Sequence, residues 1–243
     1  MEENTVIESG IKFSDIEIWD NSKRAKNLLI VFWIVIALTI VGIISGYFEL
    51  ELLKSAQMGN YVDEKAATAN DLRQGIIGII QFVAYITSVV LFLMWFRRAY
   101  GNLHRVGLTY LKYNEPMAIW AWFIPIISLF RPVQIMNEIW TETQDQIKKY
   151  DTSYNVKNGA LLIAFWWILF IISNIFGRYI LKSAFKSNTI EELIESSQAM
   201  LISDIFQVVE ALLVILIVYN VSKMEKKLLS EVANFGGDVF YNK

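Results

Sequence analysis

Residues 118–140 read AIWAWFIPIISLFRPVQIMNEIW, and whether this stretch crosses a membrane decides the fold. It begins as apolar as a membrane span, yet residues 117–130 supply only 14 apolar-type positions before the chain turns polar. A spanning helix needs about 20. Pro125 and Pro132 each remove a backbone donor and disfavour helix in the residue before them. Free carbonyls in hydrocarbon are costly unless protein or water satisfies them. Segment 117–132 is therefore expected to enter the bilayer and return, or to lie at its surface, with a fifth crossing as the alternative. Trp120, Trp122 and Trp140 suit the interface, which accommodates both an apolar ring and its N–H. After Pro132, Val133, Met136, Trp140 and Ile147 recur at helical spacing, while Gln134, Asn137, Glu138, Thr141, Glu142 and Asp145 fill the other face. That pattern predicts an amphipathic helix over 133–150, lying along the cytoplasmic surface.

Four longer runs flank this stretch: 28–48, 76–96, 160–180 and 205–221. The first, at 21 residues, gives about 31 Å of helix, and the last, at 17, is at the lower limit for a span. The composition agrees. Hydrophobic residues make up 55% of the 243-residue chain and charged ones 19%, with eight Trp; mean hydropathy is +0.40. Soluble domains carry roughly 25% charged residues. The reading is an all-α integral membrane protein: four transmembrane helices in two helical hairpins, a proline-broken segment and a cytoplasmic amphipathic helix. A polar N-terminal tail over 1–27, with no signal-peptide pattern, precedes a single membrane domain over 28–221, and a tail over 222–243 follows. A net charge of −2 gives no sign of nucleic-acid binding, and the absence of cysteine excludes disulfides, thiolate zinc sites and iron–sulfur clusters.

Basic residues decide between four and five crossings. If 117–132 does not cross, 16 of the 22 Lys and Arg fall on the side of both termini. If it crosses, the split becomes 11 to 11. The asymmetry favours four spans with both termini cytoplasmic.

The two hairpins also resemble each other. LLIVFW at 28–33 matches LLIAFW at 161–166, LKSA occurs at both 53–56 and 181–184, and Gln81 and Gln207 sit early in their second spans. This is compatible with a parallel internal repeat, although apolar helices also resemble one another by composition alone. Gly42 and Gly46 form a GxxxG, a spacing that lets helix backbones approach closely. Within the hydrocarbon depth, Gln81, Asn174, Gln207 and Glu210 are the polar side chains that need a partner helix or a wet cavity. Asn174 and Glu210 are the leading candidates for a functional interior.

The stretch FLMWFRRAYGNLHRVG at 92–107 carries Trp95, Arg98 and Asn102 as W-x-x-R-x-x-x-N. It is followed by WFIP at 122–125, with Trp122 and Pro125, and then by Pro132, Gln134, Glu138 and Trp140 as P-x-Q-x-x-x-E-I-W. This combination resembles the bacterial multi-pass membrane family catalogued as domain of unknown function 4328, over about residues 25–225. The resemblance implies an integral membrane protein in bacteria, and the expected location is the cytoplasmic (inner) membrane. It implies no known reaction, substrate or cofactor.

No catalytic residue, metal ligand or cofactor is assigned. The chain has one histidine, His104, and no H-E-x-x-H, G-x-S-x-G, Walker or G-x-G-x-x-G pattern. Arg98, Asn102 and Glu138 form a candidate structural clamp or partner site, with an Arg98–Glu138 ion pair expected to hold the broken segment. The favoured function is a non-enzymatic membrane module that organises partners or senses the bilayer through its cytoplasmic face. Its partners would be the lipid bilayer and a protein partner or second copy. The alternative is a small transporter or channel with a polar interior near Glu210. A membrane-embedded enzyme has only loose carboxylates behind it.

Overall fold

The computed structural model describes residues 17–184, 189–236 and 238–240, so residues 1–16 of the N-terminal tail lie outside the described residues. Among the described residues, six helices carry most of the chain. They are α1 (Ser22–Gln57), α2 (Glu64–Arg105), the single turn α3 (Met117–Trp120), α4 (Arg131–Tyr150), α5 (Ala160–Ala184) and α6 (Ile190–Asn234). The strands β1 (Glu17–Trp19) and β2 (Asp238–Phe240) pair in parallel, with Ile18 opposite Val239. Among the described residues four helices, α1, α2, α5 and α6, are long and apolar enough to cross a membrane. The four apolar runs read from the sequence fall inside them, and the protein is an all-α integral membrane protein.

Local chemistry sets the helix ends. Asp20 Oδ1 accepts from the Ser22 N–H at 2.9 Å and opens α1. Asn158 Oδ1 accepts from the Ala160 N–H at 2.9 Å and opens α5. Thr189 and Glu192 form a reciprocal capping box at the start of α6, with both bonds at 3.3 Å. At α4 the helix starts at Arg131, two residues before the expected boundary. Pro132 sits in the first turn, where a missing N–H costs nothing.

Segment 117–130 does not form a spanning helix. After α3, a 3-10 turn over Ile127–Leu129 follows Pro125. Ile126 has φ 68 and ψ −52, and the Ile127 N–H reaches back to the Pro125 carbonyl at 2.8 Å. This is a γ-turn, a strained conformation for a β-branched residue. Trp122 fixes the segment by packing edge-on against Phe92 and Phe96 at 5.4 and 5.8 Å. Trp120, Phe123, Ile126 and Phe130 point outward and are 57–74% exposed.

The chain forms two compact units. The first comprises Met1–Leu29, Val89–Phe165 and Ile215–Lys243; the second comprises Ile30–Ser88 and Trp166–Val214. In the first, Ile135, Met136, Ile139 and Ile147 of α4 are wholly buried, along with Trp95, Phe96, Tyr100 and Leu103 of α2. This corrects the expectation that the apolar face of α4 lies on the membrane surface. That face is the centre of a protein core, and Val133 is not part of its buried stripe. In the second unit, Ile79, Phe82, Val83 and Ile175 are exposed, as lipid-facing side chains should be. The GxxxG glycines serve close packing there. A Cβ on Gly42 would lie 2.4 Å from Gln81 Nε2, and one on Gly46 would lie 2.9 Å from Leu201 Cδ2.

Gly159 gives the sharpest packing test. A Cβ there would sit 2.1 Å from Cε2 of the Trp140 indole, a rigid ring held by its own bond to the Lys157 carbonyl at 2.9 Å. Gly159→Ala should cost about 1–3 kcal/mol, typical of an overpacked core. Thermal unfolding in detergent should show a clearly lower Tm, and an unchanged Tm would mean the ring moves freely.

Candidate functional site

The residues of the family-like motifs in the first unit meet the N-terminal segment. Asn102, 4% exposed near the end of α2, presents its amide to the backbone of Trp19. Its Oδ1 accepts from the Trp19 N–H at 3.1 Å, and its Nδ2 donates to the Trp19 carbonyl at 2.8 Å. A side-chain amide thus supplies the paired bonds a neighbouring strand would supply. Arg98 and Arg105 lie one turn either side of Asn102 on the same face of α2. Their guanidinium carbons stand over the Trp19 ring, 4.3 and 4.1 Å from its centroid. Glu115 joins Arg105 to Arg97 through contacts of 3.2 and 3.1 Å.

Two residues further on, Asn21 is 1% exposed. Its Nδ2 donates to the Trp95 carbonyl at 3.1 Å and reaches both carboxyl oxygens of Glu225 at 3.2 Å. Glu225 lies four residues past the apolar run 205–221 and is itself buried. Burial pushes its carboxyl up to about 8, against the opposing effects of the Asn21 and Asn102 hydrogen bonds and the Arg98 charge.

Gln134 and Glu138 tie the 108–115 loop to α4. Tyr113 Oη donates to Gln134 Oε1. Glu138 accepts from Tyr100 Oη at 2.8 Å and from the Lys112 N–H at 3.1 Å. Burial and Glu138 hold the Tyr100 phenol above its ordinary range, so it remains a donor. Glu142 likewise accepts from Tyr110 Oη at 2.7 Å. The expected ion pair between Arg98 and Glu138 gives way to separate partners, because Glu138 faces the loop and Arg98 faces Trp19. Trp95, Arg98, Asn102, Trp122, Gln134, Glu138 and Trp140 each make an internal contact, and Pro125 and Pro132 shape turns. Trp19, Asn21 and Glu225 escape sequence reasoning. They sit in polar or charged stretches with no periodic signal, and their contacts span 74 to 204 positions of chain.

In the second unit, Gln81 Nε2 donates to the Leu38 carbonyl at 3.3 Å, and Thr39 Oγ1 donates to Gln207 Oε1 at 3.1 Å. Glu210 is half-buried, with Ser173 and Tyr85 as polar neighbours. Asn174 does not join them: it is exposed and donates to its own helix at the Phe170 carbonyl, 2.8 Å away. A carboxylate the sequence reading left outside the span takes its place. Asp204 precedes the run 205–221, yet its Oδ2 lies 3.6 Å from where a Gly42 Cβ would stand. Gly42 and Gln81 lie six and five residues inside their own apolar runs, about 7–9 Å deep at 1.5 Å per residue. Asp204 therefore packs level with residues inside the apolar runs of α1 and α2. Toward the helix ends, Arg73 Nε donates to Ser45 Oγ at 2.8 Å and Gln74 Nε2 to Glu49 Oε2 at 2.9 Å. Among the described residues no three His, Cys, Asp or Glu side chains gather as a metal site would require.

A family model described as Domain of unknown function (DUF4328) matches residues 59–223, more than half of the chain. The match contains every family-like motif residue named above but stops short of Trp19, Asn21 and Glu225. No curated protein and no solved structure matches the chain.

The buried Glu225 has a pH consequence. An unfolded carboxyl titrates near 4.5, whereas the folded one titrates near 8. Between those values the folded protein holds a proton that the unfolded chain has lost, so stability falls as pH rises through the window. Thermal unfolding should give a Tm that declines from about pH 5 to about pH 8, and Glu225→Gln should flatten that decline. An equal slope in both proteins would show that Glu225 is not the titrating group.

Proposed function

The chain belongs to the DUF4328 family, and we propose that it is a non-enzymatic membrane module that organises partners and reads the bilayer at its cytoplasmic face. The observation that carries this reading is segment 117–130. Its inner residues Ala118 and Ala121 are fully buried, while Trp120, Phe123, Ile126 and Phe130 are 57–74% exposed. A segment of short helical turns, broken at Pro125 and strained at Ile126, that keeps four large apolar side chains outside the core suits insertion into one leaflet at the headgroup boundary. Support for a cytoplasmic orientation comes from the 16 Lys and Arg on the side of both termini. The bacterial inner membrane is the setting this implies. The partner would be the bilayer first, and a protein or second copy recruited to it.

A second reading, a small transporter or channel, has one observation in its favour. Asp204 and Glu210 bring two carboxylates level with the apolar runs in the second unit, and intramembrane ionisable groups mark ion or proton paths. Purified protein in proteoliposomes distinguishes the two. A proton or cation flux lost in Asp204→Asn would make transport the function; the module reading expects none.

The cysteine-free chain makes the membrane placement directly testable. A fluorophore on Phe123→Cys should be quenched by lipid-borne quenchers and protected from aqueous iodide. Single cysteines at Lys112 and Lys148 should both resist an impermeant thiol reagent in intact cells. Iodide access at position 123 would remove the inserted segment, and labelling at only one of the two lysine positions would establish a fifth crossing.

A further inference from the structure

We propose that the first unit holds a binding site for an anionic, phosphate-bearing headgroup, in the cleft between α6 and the connection from α4 to α5. The cleft encloses about 410 Å³, lined by Tyr154 and Lys157 from the connection and by Asn220, Lys223, Lys226 and Lys227 from α6. Its depth is that of the headgroups. Lys223 and Lys226 lie two and five residues past the apolar run ending at 221, about 3 and 7.5 Å along the helix axis. The polar layer on each side of the hydrocarbon is about 5–8 Å thick.

The backbone on one wall of the cleft is held in place, while the side chains of Lys157, Lys223 and Lys226 are exposed. The Lys157 backbone is fixed by α4: its N–H donates to Gln144 Oε1 at 2.7 Å, and its carbonyl accepts from Trp140 Nε1 at 2.9 Å and Gln144 Nε2 at 3.1 Å. Trp140 and Gln144 belong to the buried face of α4. Lys227 bridges Asp151 at 2.8 Å and Glu231 at 3.3 Å, which leaves one carboxylate charge to be met by the other lysines. Lys157, Lys223 and Lys226 make no ion pair among the described residues. Four lysines set against the two carboxylates Asp151 and Glu231 therefore leave two net positive charges at a cleft that is also lined by Tyr154 and Met224. A phosphodiester on a glycerol stem matches that combination of charge and apolar lining.

The test is thermal unfolding of the full chain in detergent at constant ionic strength, titrated separately with short-chain phosphatidylglycerol, short-chain phosphatidylcholine and inorganic phosphate. Phosphatidylglycerol should raise the Tm, and phosphatidylcholine should not. The Lys223→Gln/Lys226→Gln double variant should keep its lipid-free Tm and need about tenfold or more lipid for the same rise. Lys148→Gln/Lys149→Gln removes the same charge from the exposed end of α4 and should respond like the wild type. A rise with inorganic phosphate that the Lys223/Lys226 variant loses would keep the site and make its ligand a soluble phosphate. Equal weakening in both double variants, or no rise with either phosphatidylglycerol or phosphate, would overturn the proposal.

Discussion

The pairing of the Asn102 amide with the Trp19 backbone is the constraint on which the first unit depends. A buried backbone N–H and C=O must find partners, and the cost of leaving one unmet is about 1–3 kcal/mol. The parallel pairing with β2 occupies one edge of β1, while Asn102 meets Trp19 with bonds of 3.1 and 2.8 Å. Once Trp19 is fixed there, its ring lies under Arg98 and Arg105, and Asn21 reaches Glu225 of α6. Three distant parts of the chain are thereby tied at one point. The W-x-x-R-x-x-x-N spacing is the spacing of one helix face, so it suits the grip of a clamp.

That view changes what the family-like residues mean. An Arg, an Asn and a Glu near a membrane boundary resemble a ligand site when read as a list. In three dimensions their polar atoms point at other parts of the same protein. Glu138 and Glu142 accept from tyrosine hydroxyls, and Trp140 and Gln144 fix the backbone at Lys157. The second unit is different in kind. Its polar groups line helix interfaces at depth, where glycine at 42 brings α1 against Gln81 and Asp204.

What the sequence made legible follows from the range of each signal. Apolar runs of helical length gave the four spans, and two prolines in a short apolar stretch gave the broken segment. Periodicity located α4 but not what its apolar face would meet, since a lipid surface and a protein core select the same residues. Asp204 escaped notice because it sits one residue before its own apolar run, whereas the neighbours beside it, Gly42 and Gln81, lie on other helices. Asn174 lies within its apolar run, and its side chain turns back to its own backbone at Phe170. Trp19, Asn21 and Glu225 left no signal, because a polar tail and a charged run look the same whether solvated or clamped.

The most direct test of the clamp is amide hydrogen exchange at Trp19 in the full-length protein, compared between wild type and Asn102→Ala. If the Asn102 amide holds β1, the Trp19 N–H is protected in the wild type. In the variant it should exchange faster by the factor that about 1–3 kcal/mol implies, roughly 5- to 150-fold, while amides in the middle of α2 keep their rates. Equal exchange at Trp19 in the two proteins would contradict the account, since the N-terminal strand would then be held by something other than the residue around which the unit is built.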